Sequence, residues 1–190
     1  MYEKQDFSGI LGTQGFSNEL LSDHFTLYEG YVKNVNGLLE KLSTTGANTP
    51  EGAELRRRFG WEWNGMRLHE LYFGNITKTT SDLPEGLLKE RLIAEYGSFE
   101  TWEQDFRATG AMRGIGWVVL SEDKQSGGLL NTWINEHDGG HLAGATPLLV
   151  MDVFEHAYML QYGLKKADYL EAFMKNICFH VANARFTAAQ

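Results

Sequence analysis

The sequence has very little cysteine and no long apolar run. Cys178 is the only cysteine among 190 residues, so no disulfide can form within the chain, and a reducing, cytoplasmic location is expected. No stretch of about 18 apolar residues occurs, so no membrane-spanning helix is expected. The N-terminal segment MYEKQDFSGILG is mixed and acidic, which argues against a secretory signal. Because 43% of the residues are hydrophobic, the chain can still form a packed core.

Basic residues are also scarce. Lysine and arginine total 17 against 25 aspartate and glutamate residues, which gives a net charge of -8. Because binding to a phosphate backbone needs clustered lysine and arginine, a nucleic-acid partner is not expected. The same charge repels small anions on average, so an anionic substrate would have to be attracted by a local cationic patch.

Apolar residues at helical spacing predict a helical N-terminal half. Ser17 has the character of an N-cap, and the apolar stripe behind it predicts a long helix that reaches about residue 42. Residues 43–52 are predicted to form a loop, and a second long helix is predicted from about residue 54 to 73. Two shorter helices are predicted over about residues 85–96 and 99–112.

From Gly116 onward the pattern changes to short apolar segments between glycine-rich turns. The segments GWVVLSE, GGLLNTWINEH and PLLVMD are typical of strands in a small antiparallel sheet. A last helical stretch is predicted over about residues 154–187, with a break near Gly163. The predicted fold class is therefore α+β: a long N-terminal α-hairpin, followed by an α/β lobe with a three-stranded antiparallel sheet. The predicted domains are residues 1–80 and 81–190.

Residue types that bind metals lie at the edge of the apolar segments. Asp152, Glu155 and His156 directly follow an apolar run, and buried charge is costly unless it is paired or bound to a metal. His24 and His69 lie on the apolar faces of the two long helices. Imidazole and carboxylate suit iron, manganese or zinc, and the lack of thiolates disfavours structural zinc. Spacing alone does not decide between two interpretations. The residues could form a metal site of three histidines and one aspartate, or they could be ordinary core residues.

Several segments together resemble one known family. DVFEHAY resembles the C-terminal metal motif D-x-W-E-H-A-Y of the iron/manganese superoxide dismutases. The segments LYEGYVKNVN, YGSFETWEQDF, GIGWVVL and YLEAF resemble further parts of that family, in the same order along the chain. The similarity extends from about Leu20 to Val181, so the chain is identified by resemblance as a member of this family.

The resemblance implies an activity, a metal and an assembly. The activity is conversion of superoxide to dioxygen and hydrogen peroxide by redox cycling of one iron or manganese ion per subunit. The ion would be held by His24, His69, Asp152 and His156, with a solvent molecule as a fifth ligand. The assembly is a homodimer in which Glu155 reaches across the interface to the partner's His156.

Two further residues would act near the metal by the same resemblance. Tyr31 matches a tyrosine that hydrogen-bonds toward the bound solvent and lines the path of the substrate. His137 matches a glutamine or histidine that hydrogen-bonds to the same solvent. In other members, a glutamine at the position of Gly65 makes this hydrogen bond. Because histidine rather than glutamine occupies the donor position, iron is favoured over manganese. His141 and His180 match no role and are interpreted as surface or structural residues.

The sequence departs from the family pattern in two places. The family usually spaces its first ligand and its tyrosine by eight residues, whereas Tyr31 follows His24 by seven. Seven steps along a regular α-helix return to the same face within about 20°, so we expect a regular helix with Tyr31 turned inward. At the second place, Met159 replaces a tyrosine, and Leu27 or Tyr28 replaces a histidine. These replacements predict a repacked substrate path or dimer interface.

Three alternatives stay open from the sequence. The departures would suit a metal-binding homologue without dismutase activity, acting as a structural or interaction protein. A zinc-dependent hydrolase would use Glu155 as general base and would need it aimed at an open coordination position. A helical domain without a metal is the third alternative.

Overall fold

The structure is a computed structural model that describes residues 1–79 and 86–188. It begins with a hairpin of two long helices and continues with shorter helices around a three-stranded sheet. The elements, in chain order, are α1 (Asn18–Thr44), α2 (Pro50–Gly74), α3 (Leu87–Tyr96), α4 (Phe99–Ala111), β1 (Gly116–Asp123), β2 (Leu129–Asn135), β3 (Ala145–Asp152), α5 (Met159–Tyr162), α6 (Lys166–Lys175) and α7 (Phe179–Ala188). This order confirms the predicted α+β fold.

Side-chain caps fix where both long helices begin. Ser17 Oγ accepts a hydrogen bond from a backbone N–H in the first turn of α1, as predicted. Thr49 Oγ1 does the same for α2, and Pro50 takes the first helical position, where its missing N–H costs nothing. The prediction of a loop over residues 43–52 is therefore wrong at both ends, since α1 continues to Thr44 and α2 begins at Pro50.

The sheet has the strand order β2-β1-β3, and both pairs are antiparallel. Trp117 of β1 pairs with Asp152 at the end of β3 and with Ile134 near the end of β2. The C-terminal ends of β2 and β3 therefore lie at one end of the sheet. His137 follows β2 and His156 follows β3, so both start from this end.

The C-terminal helical stretch is broken more often than predicted. The break near Gly163 is confirmed, but residues 155–157 form a 3-10 turn and a second break separates α6 from α7. At that second break, Ile177 forms a bridge with Ile76, and the N–H of Cys178 donates to the carbonyl oxygen of Asn75. These contacts are made with the end of α2, so local helical periodicity did not predict them.

Buried hydrogen bonds join the helical hairpin to the sheet. Asn75 Nδ2 donates to the Val150 carbonyl of β3 at 2.6 Å. The Arg185 guanidinium of α7 donates to Asn75 Oδ1 at 2.6 Å and to the Leu148 carbonyl at 2.9 Å. The predicted division between residues 80 and 81 lies outside the described residues and stays a prediction. Within the described ranges, no helix is both long and apolar enough to cross a bilayer.

Candidate metal centre

Three imidazoles and one carboxylate converge between the helical hairpin and the end of the sheet. His24 Nε2 and His156 Nε2 each lie 3.2 Å from Asp152 Oδ2, and His69 Nε2 lies 3.7 Å from the same oxygen. One candidate ligand atom from each residue lies within 4.8 Å of the other three. His24, His69 and Asp152 are buried, while 28% of the His156 side chain is exposed. The structure thus brings together all four side chains that the sequence predicts as ligands.

His69 is oriented for metal binding by its own helix. Its Nδ1 lies 2.5 Å from the carbonyl oxygen of Gly65, one turn earlier in α2. Because a carbonyl can only accept, Nδ1 carries the proton and Nε2 presents a lone pair. This Nε2 is buried and has no hydrogen-bond partner among the residues that the structure describes. A buried acceptor without a partner is rare in a folded protein, and a metal ion would satisfy it.

Asp152 is held so that one carboxylate oxygen faces the histidines. Oδ1 accepts a hydrogen bond from the Phe154 N–H at 2.8 Å, and the Tyr169 hydroxyl donates to the Asp152 carbonyl at 2.5 Å. Burial alone would raise the pKa of Asp152, but the neighbouring His156 and His24 outweigh it and hold the pKa below its ordinary value. The carboxylate is therefore ionised at neutral pH.

The imidazoles of the two helices are neutral at neutral pH. Burial lowers the pKa of His24, although the nearby Asp152 carboxylate opposes this effect. Burial lowers the pKa of His69 further, and His24 adds to the decrease. Metals bind neutral imidazole and ionised carboxylate. One atom from each of the four side chains lies within 4.8 Å of the others, so the group could hold one metal ion.

Tyr31 and His137 form a hydrogen-bonded pair beside the candidate ligands. Tyr31 Oη lies 2.7 Å from His137 Nε2, and the Tyr31 ring stacks on that of His69 with centroids 5.1 Å apart. The Trp117 indole N–H donates to His137 Nδ1 at 3.0 Å. Because an indole N–H can only donate, a neutral His137 must carry its proton on Nε2 and donate it to Tyr31 Oη.

The pKa shifts of this pair show that both groups are neutral at pH 7, as this arrangement requires. Burial lowers the pKa of His137 to about 4, so the ring is neutral at pH 7. Burial also raises the pKa of Tyr31, so its hydroxyl stays protonated. Since α1 is a continuous α-helix with Tyr31 turned toward His137 and His69, the predicted regular helix is confirmed.

The remaining sequence-predicted residues lie outside the cluster. The exposed Glu155 does not join the four ligand side chains, which disfavours its use as the base of a zinc hydrolase. His141 is exposed and contacts the carbonyl of His137 at 2.8 Å, and His180 is exposed on α7. Both agree with a surface or structural interpretation.

Sequence reasoning missed two tryptophans that contact His137. The Trp117 indole holds Nδ1, as described above. The ring centroid of Trp61 lies 4.4 Å from that of His137. A signal for Trp61 was present, because Trp61, Gly65 and His69 are spaced by four residues on one face of α2.

Comparison with known proteins decides the family. Residues 84–185 match the family described as iron/manganese superoxide dismutases, C-terminal domain. A protein of Aquifex pyrophilus named superoxide dismutase (Fe) is 36% identical, over 98% of this chain and 92% of the relative. This chain belongs to the iron/manganese superoxide dismutase family.

Other relatives in the iron/manganese superoxide dismutase family carry names for either metal. A superoxide dismutase (Fe) of Cupriavidus metallidurans is 37% identical over 92% of this chain and 90% of the relative. A superoxide dismutase (Mn) of Haloferax volcanii is 33% identical over 87% of this chain and 84% of the relative. The predicted resemblance is confirmed, while family membership leaves both metals open.

Proposed function

We propose that the chain is a superoxide dismutase that holds one iron or manganese ion per subunit with His24, His69, Asp152 and His156. The observation that carries this proposal is the convergence of four suitable donor atoms within 4.8 Å of one another, in a chain of this family. When bound, the ion would supply the one-electron redox change by which two superoxide anions and two protons become dioxygen and hydrogen peroxide.

The charge of the proposed ligand set suits an anionic substrate. Asp152 is ionised and the buried imidazoles of His24 and His69 are neutral, because burial lowers their pKa values. The set therefore contributes about one negative charge, which leaves most of the charge of a trivalent cation uncompensated. Attraction at this point would offset the repulsion expected from the net charge of -8.

We assign to Tyr31 and His137 the control of a proton beside the metal. His137 Nε2 donates to Tyr31 Oη at 2.7 Å, while the Trp117 indole N–H donates to His137 Nδ1. The Tyr31 hydroxyl is thus free to donate a hydrogen bond to the substrate or product. His137 acts on the site through Tyr31, and hydrogen-bonding partners of this kind tune a bound metal.

Replacing Gly65 with alanine is expected to displace Tyr31 and lower superoxide removal. A Cβ at Gly65 would lie 2.6 Å from Tyr31 Cδ1, and overpacking of this kind costs about 1–3 kcal/mol. Gly60→Ala on the same helix is the control, because no described atom beyond the adjoining helix backbone lies within 4 Å of its added Cβ. It should stabilise the protein by about 0.5–1 kcal/mol. Urea unfolding and activity assays compare them, and equal behaviour of the two variants would refute the Tyr31 role.

We favour iron as the metal. His137 occupies the donor position, and its Nε2 is hydrogen-bonded to Tyr31. Relatives from Aquifex pyrophilus and Cupriavidus metallidurans are named for iron. Manganese is the alternative, supported by the name of the Haloferax volcanii relative.

We also propose a homodimer in which Glu155 reaches the partner's His156. Glu155 is exposed and 28% of the His156 side chain is accessible, so both are available for an interface. Leu27 and Met159 are 37% and 38% exposed, and we propose that a partner subunit covers both side chains. Sedimentation of the metal-loaded protein should give a dimer, whereas a monomer at micromolar concentration would contradict the proposal.

We also propose an antioxidant role for this activity, with the cytoplasm as its location. The single cysteine, Cys178, suits a reducing compartment, because no internal disulfide is needed or possible. We expect neither nucleic acid nor a membrane as a partner.

Reconstitution with defined metals tests the proposed function. The purified chain is stripped of metal, loaded separately with iron, manganese or zinc, and assayed for superoxide removal. We expect the iron-loaded protein to exceed an equal concentration of free iron by orders of magnitude, and the zinc-loaded protein to be inactive. If neither the iron- nor the manganese-loaded protein exceeds the free metal, the chain is a metal-binding homologue without dismutase activity.

A further inference from the structure

Trp61 lies on the face of α2 that leads to the candidate metal centre. Its ring meets that of His137 nearly edge to face, with centroids 4.4 Å apart and planes at 72°. The same ring lies 5.8 Å from that of Tyr31. Trp61 therefore contacts both members of the hydrogen-bonded pair described above.

Neighbouring polar groups hold the Trp61 ring in place. Its Nε1–H donates to Glu136 Oε2 at 3.2 Å. The Arg58 guanidinium carbon lies 3.9 Å from the ring centroid, a cation–π contact. Arg58 Nε donates to Glu62 at 2.7 Å, and Glu62 accepts a second hydrogen bond from Asn34 of α1 at 3.1 Å. The indole is thus connected to α1, to α2 and to the segment after β2.

The hydrogen bond to Glu136 acts on the residue directly before His137. Among the described residues, Glu136 is the only non-glycine with a positive φ, at 50°. Its N–H donates to the Ile115 carbonyl at 3.1 Å. Such a backbone conformation persists only where the surroundings hold it, and these conformations concentrate at functional sites. Trp61 and Ile115 supply two of the contacts that hold it here.

We propose that Trp61 is a positioning residue for His137. Trp117 fixes Nδ1 of the imidazole and Phe154 stacks on the ring at 4.7 Å, while Trp61 supplies the edge contact and, through Glu136, restrains the adjoining backbone. These contacts keep Nε2 directed at Tyr31 Oη. The proposal depends on the proposed dismutase function only for its effect on rate.

Four variants of the metal-loaded protein test this role by midpoint potential and activity. Trp61→Leu should shift the potential of the bound metal and lower activity about tenfold, as loss of outer contacts does elsewhere. Trp61→Phe keeps an aromatic edge but loses the N–H, so its shift should be smaller. Glu136→Gln keeps an oxygen acceptor and should resemble the wild type, whereas Glu136→Ala should resemble Trp61→Phe.

Trp63→Leu is the matched control, because Trp63 is on the same helix and packs on Tyr2 and Phe59, away from the metal centre. We expect it to leave the potential unchanged. A wild-type potential in Trp61→Leu, or an equal shift in Trp63→Leu, would overturn the proposal. If Trp61→Leu does not fold, Trp61→Phe and Glu136→Ala decide instead, and wild-type potentials in both would overturn it. If the wild type proves inactive, the proposed function fails, but the potentials still decide the role of Trp61.

Discussion

Replacing Asp152 with asparagine is expected to lower metal affinity by more than about a hundredfold, because losing even an outer partner costs roughly 10–100-fold. Superoxide removal should be lost with the metal. Asp152 is the one carboxylate in the proposed ligand set, and its Oδ2 lies 3.2 Å from both His24 Nε2 and His156 Nε2. Asparagine keeps the shape but removes the negative charge. Metal content after dialysis and activity after reconstitution measure the effect.

Asp23→Asn provides the control for the charge change. Asp23 precedes His24 on α1 but is exposed to solvent, so the same substitution there should leave metal content and activity near those of the wild type. Full metal occupancy and activity in Asp152→Asn would show that Asp152 is not a ligand.

Replacing His69 with leucine is expected to have opposite effects with and without metal. Without metal, the variant should unfold at an equal or higher urea concentration, since a buried polar atom without a partner costs about 1–3 kcal/mol and leucine removes the unpartnered Nε2. With metal, the wild type should gain about 4 kcal/mol at a free concentration roughly a thousandfold above Kd. The variant should gain far less, because one of its donors is missing.

His180→Leu is the control for loss of an imidazole, because His180 is exposed on α7. It should keep the full stabilisation by metal. Comparing urea unfolding with and without iron separates the two effects. A His69→Leu variant that gained as much stability from iron as the wild type would remove His69 from the ligand set.

Strong local periodicity made most of the fold predictable. The apolar stripes of α1 and α2 and the short strands between glycines each specify their element without help from distant residues. The predicted ends of helices were wrong where a short local signal or a contact with a distant residue determines them. The Thr49–Pro50 pair starts α2 within the predicted loop, and the contacts of Ile177 and Cys178 with the end of α2 separate α6 from α7.

The proposed ligand residues could be named before the structure was known, whereas their surroundings could not. Spacing alone left the site open, and the family resemblance implied His24, His69, Asp152 and His156. The direction of the His137 ring could not be predicted, because it depends on Trp61 and Trp117 from two other elements. Helical spacing did predict an inward Tyr31, since seven residues after His24 return to the same face.

The proposed metal centre can be located in a crystal structure of the iron-loaded protein, with anomalous scattering measured at the iron edge. One anomalous peak should appear in each subunit, within about 2 Å of the Nε2 atoms of His24, His69 and His156 and of Asp152 Oδ2. A fully occupied iron peak at any other place, or one lacking contact with any of these four side chains, would rule out this ligand set.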